Sequence, residues 1–216
     1  MHKPLLTVSW SAGVGVVSHL TGYAIAMSQI FATSRLTLRR LEAEDLDLFY
    51  DIVTDAFVRR YLFDDAILSR IQVAAMLAES QKLHEKGVGL WLIEANASLE
   101  GNHEEDHKVI GLVGLWYFFD EPQPQLVYAL LPAATHQGYM TEAAVALMDY
   151  CFNNLGYRYL TVNCDAPNLA SQRVALRLGM VKTEQRMVEG KSILVFRRDA
   201  PSSTGDGSTS PIPGHC

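Results

Sequence analysis

Apolar and polar residues alternate with period two in "RLTLRRL" (35–41), the pattern of a strand with one buried face. The period changes in "AEDLDLFYDIVTDAF", where Leu46, Phe49, Ile52 and Val53 fall on one helical face. The next run, "DDAILSRIQVAAMLAESQKLHEKG", predicts a longer helix. Its apolar face is expected to carry Ile67, Ile71, Ala74, Ala75 and Ala78, with Gly87 as its C-terminal stop. Two apolar strands follow, "VGLWLIEA" and "KVIGLVGLWYFF", separated by the polar loop "NASLEGNHEEDH". "QLVYALL" is a further strand, ended by Pro132, and a helix then runs from Tyr139 to Asn154 and stops at Gly156. "YLTVNCDA" reads as a strand and "NLASQRVALRL" as a short helix closed by Gly179. "VKTEQRMV" and "SILVFRR" form a hairpin around "EGK". The resulting order is β-α-α-β-β-β-α-β-α-β-β. Antiparallel hairpins flank one strand–helix–strand unit, and a right-handed crossover would set the two strands of that unit parallel.

The two ends differ from this middle. Pro4 to Ser34 holds no Asp, Glu, Lys or Arg, and its basic tip, apolar centre and "AIA" before Met27 follow the outline of a secretory leader. Ser, Thr, Gly and His19 dilute the centre too much for a membrane-spanning helix. The preferred reading makes Met27 the natural start, because everything after it reads as a compact cytoplasmic domain. "APSSTGDGSTSPIPGHC" cannot bury apolar surface and is expected to be disordered. The expected organisation is an extension over 1–27, one domain over 28–199 and a tail over 200–216.

The 216 residues are 49% hydrophobic, enough for one ordinary core. A net charge of −6 argues against a nucleic-acid surface, which needs clustered Lys and Arg. Cys151, Cys164 and Cys216 are odd in number and widely spaced, so a disulfide framework is not expected; the first two read as buried thiols. "HEEDH" (103–107) matches a zinc-binding pattern, but that chemistry needs both histidines on one helical face. The motif lies in a polar inter-strand loop, so no metal is expected.

Candidate chemistry lies where a strand turns sharply into a helix, in "LPAATHQGYMTEAA" (131–144). A helix N-terminus leaves its first N–H groups unpaired and carries partial positive charge. A glycine at that turn lets backbone approach a ligand, so Gly138 and the residues around it form a candidate anion cradle. No Walker-type G-K-[ST] follows. Downstream, after the next strand, stands "NLASQRVALRLGM".

"GYMTEAA" after a strand ending in Pro, followed by N-x-x-S-x-R-V-A-L-R-L-G-M after the next strand, resembles the GNAT family of acyl-CoA-dependent N-acyltransferases. "TSRLTLRRLEAEDLDLFYDI" is similar to the opening of its RimJ/RimL-like branch. The resemblance covers residues 28 to 199. It implies a GNAT α/β fold: a mixed, mostly antiparallel sheet with one splayed parallel strand pair and helices on both faces. Acetyl-CoA would be the co-substrate. Its pantetheine arm would pair with backbone near Leu130 and Leu131, and its pyrophosphate would rest on the N–H groups of Gln137, Gly138, Tyr139, Met140 and Thr141. Asn168 would contact the arm and Arg173 a phosphate; the plainer roles are a helix cap and a solvated helix face.

This sequence departs from the family in the loop, where Ala133 and His136 replace a polar residue and a glycine of the usual motif. It departs again seven residues after Asn168, where many relatives place a tyrosine that protonates the leaving thiolate and this chain has Ala175. In the RimL-like branch a serine takes that role, which would be Ser171; otherwise Ser171 is a first-turn helix serine. Glu189 in the last hairpin turn is the implied base, with Glu184 in reserve.

Amine basicity ranks acceptors. A protein α-amine has a pKa near 7.7–8.0 and lysine about 10.4, so lysine costs roughly 3.5 kcal/mol more to neutralise at pH 7. With no evident buried His–Glu base, this favours a protein N-terminus or a weakly basic small molecule over lysine, and the protein N-terminus is the first expectation. A small-molecule amine (an antibiotic or polyamine) is the alternative, and a non-catalytic acyl-CoA sensor the rival from another class. The reading implies a monomer or homodimer that meets acetyl-CoA and an amine, with no nucleic-acid or membrane partner.

Overall fold

The computed structural model describes residues 31–96, 108–118 and 123–201. The "HEEDH" stretch, the first 30 residues and those after Pro201 lie outside this range.

The chain enters through a two-residue strand, β1 (Phe31–Ala32), missed by the sequence pattern because it is so short. Strand β2 (Leu36–Arg40) alternates as expected, with Leu36 and Leu38 fully buried. Helix α1 (Leu46–Thr54) buries Phe49, Ile52 and Val53. The single expected helix is broken after Thr54: the Asp55 carboxylate accepts hydrogen bonds from the N–H groups of Phe57 and Val58 and so caps a separate helix, α2 (Ala56–Leu62).

Helix α3 (Arg70–His84) corrects the expected stripe. Ser69 and Gln72 form a reciprocal capping box that fixes the start. Val73, Leu77, Ser80, Leu83 and His84 are buried, whereas Ile67 is 69% and Ile71 83% exposed. The physical reason is the size of the buried groups. A buried Val or Leu contributes roughly 1.5–3 kcal/mol and a methyl group far less, so Val73, Leu77 and Leu83 decide the face over three alanines. Gly87, at a φ of 78°, ends the turn as expected.

Strands β3 (Gly89–Ala95), β4 (Lys108–Trp116) and β5 (Gln125–Leu130) complete a five-stranded sheet in the order β1-β2-β3-β4-β5, with every registered pairing antiparallel. Helix α4 (Tyr139–Asn153) follows β5. Strands β6 (Tyr159–Asp165), β7 (Val181–Val188) and β8 (Lys191–Asp199) form a second sheet in the order β6-β8-β7, with helix α5 (Leu169–Arg177) between β6 and β7. The β7–β8 hairpin turns on Glu189 and Gly190, both at positive φ.

The strand–helix–strand unit therefore joins two sheets instead of lying within one. β5 packs near β6, but its ladder bonds go to β4 and those of β6 go to β8. The two strands splay, and their facing backbone groups are left for something else to meet. Cys151 and Cys164 are buried thiols, as expected.

Candidate active site

After β5, Pro132 to Ala134 form one 3₁₀ turn, and Gly138 then starts α4 in the left-handed region at a φ of 81°. A Cβ at Gly138 would meet only Arg35 Nη2, at 3.6 Å. Backbone conformation, not crowding, is what requires glycine there. The first helical bond runs from the Glu142 N–H to the Gly138 carbonyl, so the N–H groups of Tyr139, Met140 and Thr141 have no acceptor within the helix. His136, also at positive φ, Gln137 and Gly138 are exposed.

Arg35 braces this loop, a residue the sequence reading passed over. Its Nη1 donates to the Gln137 carbonyl at 3.0 Å, its guanidinium lies over the Tyr139 ring at 4.6 Å, and its Nε and Nη2 hold Glu142 at 2.7 and 2.6 Å. Glu142 also accepts from the Thr33 and Ser34 hydroxyls and the Arg35 N–H. Partial burial pushes its carboxyl upward, but these bonds outweigh it and hold the group below the ordinary carboxylate range. The negative charge in the first turn of α4 is thus taken up by Arg35, which leaves the loop's positive end unopposed. The pair is 107 positions apart in sequence, so no local pattern could show it.

At the end of β5 the two expected backbone contacts separate. The Leu131 N–H donates to the Ile110 carbonyl at 2.9 Å and its carbonyl accepts from Ala134 at 3.0 Å, so both groups are engaged. Strand alternation then turns the backbone groups of Leu130 away from β4, toward the splay. The backbone groups of Leu130 thus point out of the ladder, while the Leu131 N–H is already engaged. A depression of about 290 Å³, lined in part by Lys108, Leu131, Gln137 and Tyr139, adjoins the loop.

On the β6 side, Asn168 caps α5: its Oδ1 accepts from the Ser171 N–H at 3.1 Å. Its amide nitrogen can still donate outward. The Ser171 hydroxyl lies 3.0 Å from Tyr128 Oη of β5. Tyr128 Oη is 3.2 Å from the Ser171 carbonyl. Burial, partly offset by Ser171, pushes the Cys164 thiol up to about 11, so it stays protonated at neutral pH. Ala175 is fully buried. Arg173 stands on the exposed face of α5.

Glu189 and Glu184 are both exposed, Glu189 at the hairpin tip and Glu184 along β7. Two residues beyond Glu189, Lys191 pairs with Asp64 of the α2–α3 loop, so hairpin and loop meet. Asp165, at the end of β6, is raised above the ordinary carboxylate value by burial, with Lys191 opposing and Asp64 reinforcing the shift. Asp64 and Asp165 thus set two carboxylates against one lysine where hairpin and loop meet. The sequence reading named neither, because each is only one acid in a polar turn until the fold joins them.

This fold and the loop-to-helix turn match a known family. Residues 35–181 fit the family described as "Acetyltransferase (GNAT) domain". The chain belongs to the GNAT acetyltransferase family. It is an acyl-CoA-dependent N-acetyltransferase, and the family's acyl donor is acetyl-CoA. Among curated proteins it is 22% identical over 148 residues to the "Uncharacterized N-acetyltransferase YnaD" of Bacillus subtilis, covering 68% of this chain and 80% of that protein. It is 29% identical over 171 residues to YkkB of the same organism, covering 77% of this chain and 93% of that one. A GNAT-family acetyltransferase from Bacillus anthracis superposes with a TM-score of 0.65 at 16% identity, over 80% of this chain and 99% of that one. RimL, a ribosomal L7/L12 alpha-N-protein acetyltransferase solved with coenzyme A, superposes with a TM-score of 0.64 at 18% identity, over 79% and 98%. The expected GNAT fold is thus borne out, with RimL-type enzymes among the structural neighbours. No helix among the described residues is long and apolar enough to cross a membrane.

Proposed function

We propose that this GNAT enzyme moves the acetyl group of acetyl-CoA to a primary amine, with the α-amine of a protein N-terminus as its acceptor, in the cytoplasm. The observation that carries the reading is the position of Ser171 on α5, which packs on β6 and brings its hydroxyl to Tyr128 of β5 beside the splay. The pyrophosphate rests on the N–H groups from Gln137 to Thr141, and the pantetheine arm pairs with Leu130 and meets Asn168 on its way to Ser171. Arg173 reaches a phosphate from the exposed face of α5.

The amine enters from the side of Asp64 and Asp165, whose net negative field draws an ammonium group. It loses a proton, directly or through water, to Glu189 at the hairpin tip and attacks the thioester carbonyl. A strand N–H polarises that carbonyl. The C–N bond forms, the nitrogen gives its second proton to water, and the C–S bond breaks with its electron pair leaving on sulfur. Ser171 donates a hydrogen bond to the sulfur as charge builds there, and the products are the amide and the free thiol of CoA. Three observations support an α-amine over a lysine. The candidate base is an exposed carboxylate, suited to the less basic amine. The buried histidine, His84, sits at the α3–β3 corner. The RimL-type neighbours are described as alpha-N-protein acetyltransferases.

Thiol release from acetyl-CoA, measured with matched peptides, tests this. A lysine-free peptide with a free N-terminus should be turned over, and its N-terminally blocked, lysine-containing partner should not. Turnover only with polyamines or aminoglycosides would move the acceptor to small molecules. Tight CoA binding with no thiol release from any amine would contradict the reading.

A further inference from the structure

We propose that Tyr128 is a positioning residue for thiol departure: its phenol donates to Ser171 Oγ and thereby directs the serine proton toward the sulfur of CoA. The proposal rests on the reading of Ser171 given above. Tyr128 Oη carries one proton and has two acceptors in reach, Ser171 Oγ at 3.0 Å and the Ser171 carbonyl at 3.2 Å. The shorter contact is the one that matters chemically. A phenol donating to Oγ occupies a lone pair and leaves the serine hydrogen free to point elsewhere. The β6 strand that faces this side of α5 carries the buried thiol Cys164, so a sulfur-bearing side chain already lines the elements around Ser171.

The three groups come from β5, α5 and β6, the elements that line the splay. Burial holds the phenol well above its ordinary value, with Ser171 opposing the shift, so Tyr128 keeps its proton throughout turnover. It is a fixed donor and not a proton source. When the C–S bond breaks and the electron pair passes to sulfur, the Ser171 hydrogen bond to sulfur strengthens, and the partial charge left on Oγ is stabilised by the phenol. The incoming proton finally comes from solvent. Ala175 leaves no phenol at its own position on α5. Here a phenol comes from the sheet and acts one hydroxyl further back.

A double-variant cycle tests this. Tyr128→Phe should lower kcat by about 3–10-fold, the effect of one neutral hydrogen bond, and leave the KM for acetyl-CoA and the melting temperature nearly unchanged. In Tyr128→Phe/Ser171→Ala the loss should be no greater than in Ser171→Ala alone, because the phenol acts only through the serine. Incorporating 3-fluorotyrosine at position 128, which keeps the donor, should restore kcat. Wild-type kcat in Tyr128→Phe, or losses that multiply in the double variant, would overturn the proposal while the role of Ser171 stands. Wild-type kcat in Ser171→Ala would remove that role and this proposal with it.

Discussion

At the residue scale, two positions carry the account. Gly138 needs its left-handed backbone, and a β-branched side chain there is strained by roughly 1–2 kcal/mol even though the space around it is open. Gly138→Val should therefore weaken CoA binding measured by calorimetry, by distorting the turn that presents the N–H groups. Unchanged affinity in a folded variant would remove the cradle from the account. Ser171→Ala should lower kcat while the KM for acetyl-CoA stays nearly constant, since the hydrogen bond to sulfur matters only as charge develops. Removing one donor aimed at developing charge costs about 10²–10³-fold, and a thiolate is a good leaving group, so the low end is expected. If the variant instead loses stability and keeps its rate, Ser171 is a helix-turn residue. Gly138 was legible from the residues themselves, as a lone glycine between a strand and a helix, whereas Ser171 was singled out only by the family resemblance. Tyr128 was not legible: in "QLVYALL" it reads as one more sheet aromatic, and only the splay brings it to α5.

At the element scale, the corner between α3 and β3 explains one failure of the sequence pattern and carries one prediction. The Ser80 hydroxyl accepts from the Leu90 N–H at 2.9 Å, and His84 Nε2 hydrogen-bonds the Leu90 carbonyl at 2.9 Å with its ring edge-on to Trp91. Two polar residues are thus buried on the inner face of α3. A reading that places polar residues outside turns the stripe away from them, toward Ile67 and Ile71. Burial lowers His84 to about 4. A histidine depressed when folded stabilises the protein above its unfolded value of about 6.5, and that stability is lost as pH falls toward 4. Its share is on the order of 3 kcal/mol. The melting temperature should fall through this window, and His84→Gln should flatten the fall. An equal slope in that variant would assign the acid sensitivity to other groups.

At the scale of the whole molecule, the element order and the hairpins were legible because each strand announces its own period. The division into two sheets was not. Alternation shows which face of β5 and β6 is buried but not which edge finds a partner, and edge pairing is a long-range choice. The same limit hid Arg35 with Glu142 and Lys191 with Asp64, whose members lie 107 and 127 positions apart. One of these contacts braces the loop before α4, the other joins the last hairpin to the α2–α3 loop, and β5 and β6 splay apart. In the proposed function this splay is the acetyl-CoA channel and the thiol ends at Ser171. The most direct test is a crystal structure of the complex with CoA. The predicted result places the pyrophosphate on the N–H groups of residues 137–141, the pantetheine arm along Leu130, and the sulfur within hydrogen-bond reach of Ser171 Oγ. Pyrophosphate bound instead in the depression beside Lys108, or a sulfur remote from Ser171, would contradict it.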